Sequence, residues 1–175
     1  MKRMLVRWQW GGFLFVSLLG TLLHFLFDLT GQSVLVAPFA AVNESIWEHM
    51  KILFVPMFLF ALIEHHTLVR EYPRFWCAKL WGCLVGVLLI AVLYYTISGV
   101  FGNSPDWVNI AIYYTVAATV FWLEGHILKF DHLWCKTPAV SFVLLCAVMV
   151  LFAVLTFFTP KIPLFADPID GTYGI

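Results

Sequence analysis

Charge is what this sequence has least of. Its 175 residues carry ten Lys and Arg and ten Asp and Glu, a charged share of 11%, where a soluble domain holds about a quarter. The two signs cancel, so there is no basic field to hold a polyanion, and nucleic-acid binding is excluded. A soluble domain of this length keeps roughly a third of its unfolded surface in water. With 62% of residues hydrophobic, that surface would be one continuous apolar patch, which excludes an ordinary soluble fold. Low-complexity stretches are absent, and so is any C-x-x-C spacing among Cys77, Cys83, Cys135 and Cys146.

What is present is long apolar runs, and a mean hydropathy of +0.92. A spanning helix needs about 20 mostly apolar residues, and five segments qualify: 11–27, 44–68, 78–100, 107–128 and 138–158. The predicted fold is all-α, a single transmembrane domain of five helices over 1–175 with an irregular extracytoplasmic tail at 159–175. Asn43, Ser104-Pro105 and Thr137-Pro138 supply helix starts, and Pro160 a stop. Pro56 removes a backbone donor inside the second helix, so the Ile52 carbonyl needs another partner. An odd number of helices does not divide into two equal inverted repeats of the transporter kind.

With the N-terminus inside, Lys2, Arg3, Arg7, Arg70, Arg74, Lys79, Lys129 and Lys136 lie on the inner side, leaving Lys51 and Lys161 outside. Trp8, Trp10, Trp76, Trp81, Trp122 and Trp134 then fall near the inner interface, and Trp47 and Trp107 near the outer one. The first apolar run exceeds a signal-peptide core and ends in no A-x-A site, so it reads as an uncleaved span. Residues 32–41 read as a structured loop between spans. Cys77 and Cys135 fall on the reducing side in this orientation, so packing rather than a disulfide is expected of them. Gly82 and Gly86, with Ala111, Thr115, Ala118 and Thr119, predict close packing of the third helix on the fourth; a homodimer through Gly82/Gly86 is the alternative.

Ionisable groups inside spans cost about 2.5–3.5 kcal/mol each at the bilayer centre, so their placement is informative. His24 and Asp28 share a face of the first helix, while Asn43, Glu44, Glu48, His49 and Lys51 crowd the start of the second. At about 1.5 Å per residue, His24 lies about 6 Å inside Asp28 and His49 about 8 Å inside Glu44, so the two imidazoles meet at similar depth. Two imidazoles and a carboxylate suit zinc with one open position. The expectation is therefore His24, Asp28 and His49 as metal ligands, Glu48 as the base that activates water, and Asn43, Glu44 and Lys51 as further polar members. The competing expectation is structural: Ser45-x-x-Glu48 fits a capping box, and Glu48 with Lys51 an i, i+3 pair.

A second set ends the helices at the inner face: Glu64, His65 and His66 on the second, Glu124 and His126 on the fourth. A cross-helix pair of Glu64 with His126 is open to them, but solvated helix ends are the leading expectation, as they are for Asp131 and His132 in the following loop. The tail after Pro160 either folds over the outer mouth or hangs free. Tyr94-Tyr95 and Tyr113-Tyr114 are placed to offer a hydroxyl each to an outer cavity.

The stretch from His24 to Asp28, the run Val42-Asn-Glu-Ser-Ile-Trp-Glu-His-Met-Lys51, Pro56, Glu64-His65 and the closing Gly171-Thr-Tyr-Gly-Ile175 resemble a family of small multi-pass membrane proteins of Gram-positive bacteria whose function is unknown. The resemblance implies a bacterial cytoplasmic-membrane protein and no activity. In site chemistry alone, the intramembrane histidines and acids are similar in kind to those of membrane-embedded zinc hydrolases such as alkaline ceramidases, whose seven helices this chain does not have. The leading expectation is an outer-leaflet site, zinc-bound, that hydrolyses a lipid-linked or small amphiphilic substrate. The alternatives are a proton-coupled permease component, with Glu48, His49 and Lys51 as relay, and a scaffold without chemistry.

Overall fold

The computed structural model describes residues 2–102, 105–130, 135 and 137–175. Ser104, Asp131, His132, Trp134 and Lys136, all read above, lie outside the described residues. The fold is all-α, with α1 (Lys2–Leu29), α2 (Ile46–Leu68), α3 (Phe75–Phe101), α4 (Asp106–Phe130), α5 (Pro138–Phe157) and a 3-10 turn at Pro163–Phe165. All five long helices are long and apolar enough to cross a membrane. α1 starts well before residue 11, because its charged first turns contain no breaker and extend the same helix.

The most buried helix is α2, which touches the other four. Where an isolated apolar helix in lipid gains nothing from hydrophobic drive, packing and internal hydrogen bonds hold the bundle together. Trp47 of α2 stacks between Phe152 of α5 and Phe165 of the tail, with ring centres 4.5 and 4.7 Å away. α2 runs unbroken through Pro56. The Tyr113 hydroxyl of α4 lies 3.4 Å from the Ile52 carbonyl that Pro56 leaves without its helical donor, and donates at 2.9 Å to the Val16 carbonyl of α1. Gly20 makes room for that hydroxyl; any Cβ there would collide with it.

Two expectations are corrected here. Gly82 and Gly86 do not form an outer face: both are buried, Gly82 against Glu124, and Gly86 against Val120 of α4 and Leu53 of α2. Their missing side chains are spent on packing within the chain. Cys77 and Cys135, expected to be packed thiols, are joined as a disulfide that ties the first turn of α3 to the segment leading into α5, with the Ser141 hydroxyl 3.5 Å from Cys77 Sγ. Spacing along the chain carries no trace of that pairing, because 58 residues separate the two. Cys83 and Cys146 are free.

Candidate metal centre

The second helix begins at Ile46, two residues after Glu44, so its acidic run is split between the preceding loop and the first turn. Ser45 is the N-cap, its side chain accepting the Glu48 N–H at 3.4 Å, and not Asn43. Asn43 serves the cap from outside: its Oδ1 accepts the Ser45 N–H at 3.0 Å, and its Nδ2 donates to the Gly174 carbonyl at 3.2 Å. Glu44 is thereby left in the loop with its backbone N–H on Asp167 Oδ2 at 2.9 Å, and its side chain turned towards α1.

There it meets both histidines. Glu44 Oε2 lies 3.5 Å from His24 Nε2 and 3.7 Å from His49 Nε2, and ligand atoms of the three residues all lie within 4.8 Å of one another. His49 is oriented from behind: its Nδ1 is 2.9 Å from the Ser45 carbonyl oxygen. A carbonyl only accepts, so Nδ1 carries the hydrogen and a neutral His49 presents a bare Nε2 to the cluster. The His24 imidazole, hydrogen-bonded to Glu44, holds that carboxyl below the usual carboxylate range against the opposing effect of burial, with the charge of His24 adding to the hold.

The cluster opens on a cavity of about 450 Å³ between α1, α2 and α4, lined among others by Thr21, Phe25, Asn109, Tyr113, Tyr114 and the tail residue Ile169. Glu44 and His49 also border a small cavity of about 20 Å³ with Tyr94 and Asn109, room for about one water. The tail is ordered against this mouth, through Phe165 on Trp47, an isolated bridge between Ala166 and Tyr173, and the contacts of Asp167 and Gly174 with the start of α2.

The sequence-predicted ligands thus divide. His24 and His49 come together; Asp28 stays exposed on the last turn of α1, and Glu44 takes the carboxylate position. Glu48 is held elsewhere: it sits 2.5 Å from Lys51 Nζ and accepts the Val42 N–H at 3.1 Å. Lys51 also donates to the Ala37 carbonyl and to Thr156 Oγ1, both at 2.9 Å. This buried pair fastens the 30–45 loop and α5 to α2, and the role of water-activating base does not fit a carboxylate so committed.

At the other end of the bundle the expected solvated helix ends are replaced by a buried triad. Glu64 and Glu124 are both 0% exposed and both pair with Lys79 of α3, Glu124 at 2.6 Å. The His65 ring packs against Trp76 and the His126 ring against Trp122 and Phe130, and Glu64 pairs with Lys79. Lys79 was the missed residue. Its position two residues into an apolar span was the available signal, read only as an interfacial positive charge.

Five apolar spanning-length helices that enclose buried ionisable groups fit a multi-pass membrane protein. Within that class, the chain belongs to the Family of unknown function (DUF6512), whose profile matches residues 1–175. No curated protein and no solved structure matches the chain.

Proposed function

We propose that His24, Glu44 and His49 bind one divalent transition metal, zinc being the best fit, and that the site hydrolyses an amphiphilic or lipid-linked substrate held in the adjoining cavity. The observation that carries this reading is the pre-oriented His49: its Nδ1–H is fixed on Ser45, and its Nε2 faces a carboxylate and a second imidazole. Two imidazoles and one carboxylate form a three-ligand set that leaves a fourth position for water, whose pKa the metal lowers. Polar Thr21, Asn109 and Tyr114 beside apolar Phe25, Ile110 and Ile169 suit a substrate with a polar head and an apolar body. Phe25 and Ile110 are exposed on the outer surface of the bundle, so the cavity wall continues onto the face available to lipid. Along α2, every residue from Ile52 to Ile63 is apolar, which favours one opening over a polar route through the molecule.

The proposed setting is the cytoplasmic membrane of a bacterium, N-terminus inside and the metal site towards the outer leaflet. Elemental analysis of protein purified in mild detergent without a polyhistidine tag tests the site. The expected result is about one equivalent of zinc or a related metal, lost in His24→Ala, Glu44→Ala and His49→Ala and kept in Asp28→Ala. Metal-free wild type that is folded, and stays metal-free after incubation with zinc, overturns the reading.

A further inference from the structure

The triad at the opposite end does not balance. Lys79 is 2% exposed, and its ammonium lies against the carboxylates of Glu64 and Glu124 and 5.5 Å from the ring centres of both Phe75 and Phe121. Two acids and two aromatic faces around one amine hold that amine charged. One positive charge against two ionised carboxylates, all but closed to solvent, would leave a net negative charge in the apolar interior, which is strongly unfavourable. Two carboxylates sharing one site resolve this by keeping a proton. The unused acceptors are on the page: Glu64 Oε1 and Glu124 Oε1 are buried with no hydrogen-bond partner.

Among the described residues, Lys79 is the cation paired with each of the two carboxylates. The charged groups that act on one another are Glu64 of α2, Lys79 of α3 and Glu124 of α4, with the Cys83 thiol beside Glu124. From α1 comes Gln9, which packs on Gly125 and whose amide nitrogen and oxygen are both buried without a partner. Gln9 also lines a cavity of about 660 Å³ between α1 and α4 that reaches His126 and Lys129. Gly82 lies where Glu124 enters α3, and a side chain there would exclude the carboxyl.

We propose that Glu64, Lys79 and Glu124 form a site for one exchangeable proton, kept by the two carboxylates that share the Lys79 ammonium and exchanged with water. The exchange is a plain acid dissociation, the proton leaving a carboxylic acid for water and the carboxylate returning to the ammonium. Such a site is what a proton-linked step in a membrane protein requires, and it is independent of the metal centre.

Infrared difference spectroscopy of the purified protein in lipid nanodiscs reads it directly. The expected result is a protonated-carboxyl C=O band at neutral pH that is lost on alkalinisation and shifts on transfer to deuterium oxide. Glu64→Gln and Glu124→Gln each leave one acid for one amine, so each abolishes the band, while Glu48→Gln keeps it. No protonated-carboxyl band in wild type, a band that survives both triad substitutions, or one that does not exchange in deuterium oxide overturns the proposal. A sodium-dependent loss of the band would assign the site to a metal cation instead and overturn it equally. Should a Gln variant fail to fold, the wild-type band and its deuterium shift still decide.

Discussion

Asp167 accepts the backbone N–H of Glu44 at 2.9 Å, and through that bond the C-terminal segment fixes the loop residue whose carboxylate joins the two histidines. The same aspartate accepts the Ile169 N–H at 2.7 Å, which sets the turn that places Ile169 in the cavity wall. Partners behind a ligand commonly contribute 10–100-fold to metal affinity. Asp167→Ala is therefore expected to weaken zinc binding by roughly tenfold without removing a ligand, measured by competition with a chelating dye. Affinity equal to wild type would mean that Glu44 is positioned without the tail.

Ser45 serves two neighbours with two different atoms: its side chain caps Glu48, and its carbonyl orients His49. Ser45→Ala removes only the first. It should lower stability by about 1 kcal/mol and leave the metal equivalent unchanged, whereas His49→Ala should do the reverse. Loss of metal in Ser45→Ala would show that the cap, and not the carbonyl, governs the imidazole.

Tyr113 stands in for the N–H that Pro56 lacks. Tyr113→Phe removes an additional bond from the Val16 carbonyl and strands the Ile52 carbonyl in the core, at about 1–3 kcal/mol, and should lower the thermal unfolding midpoint. Pro56→Ala returns a donor to the Ile52 carbonyl, so the hydroxyl matters less in that background. A double-mutant cycle should show non-additivity of that sign; strict additivity would separate the hydroxyl from the proline.

How much of this the sequence carries depends on range. The five helices were legible because each is a long apolar run, and the need of Ile52 for a foreign donor followed from Pro56 alone. The pairing of His24 with His49 was legible from depth along two helices. The third proposed ligand was not: Asp28 shares a helix face with His24, but Glu44 sits in a loop whose path is set by contacts with residues 167 and 174, more than a hundred positions away. Lys79 and Glu124 were misread for the same reason, since the pattern of one helix does not say what an adjacent helix presents.

The Glu44 carboxyl is held below its ordinary range by the His24 imidazole. A lowered carboxyl contributes stability that is complete above the unfolded value, near about pH 4, and is lost as pH falls through the folded value. For metal-free protein, the stability difference between wild type and Glu44→Gln should therefore be greatest in mildly acidic solution, where the carboxyl is ionised and the imidazole protonated, shrink above the ordinary imidazole range near about pH 6.5, and close below about pH 4. Thermal unfolding across that range checks it, and a difference that does not shrink at alkaline pH would mean the imidazole is not the partner.

The disulfide bears on orientation. Lys79 belongs to the triad and no longer speaks for a membrane face, yet Arg3, Arg7, Arg70, Arg74 and Lys129 still crowd the end where Cys77 and Cys135 meet. Cytoplasmic thiols are kept reduced, so with that end inside the pair should be dithiol in the cell and close only on oxidation. Cells quenched in acid, denatured and treated with a mass-tagged maleimide distinguish the states. Of the four cysteines, Cys83 and Cys146 are free in either case, so the expected result is four tags per chain, falling to two after an oxidant. Two tags in untreated cells would place this end in an oxidising compartment and invert the proposed orientation, carrying the metal site to the inner leaflet.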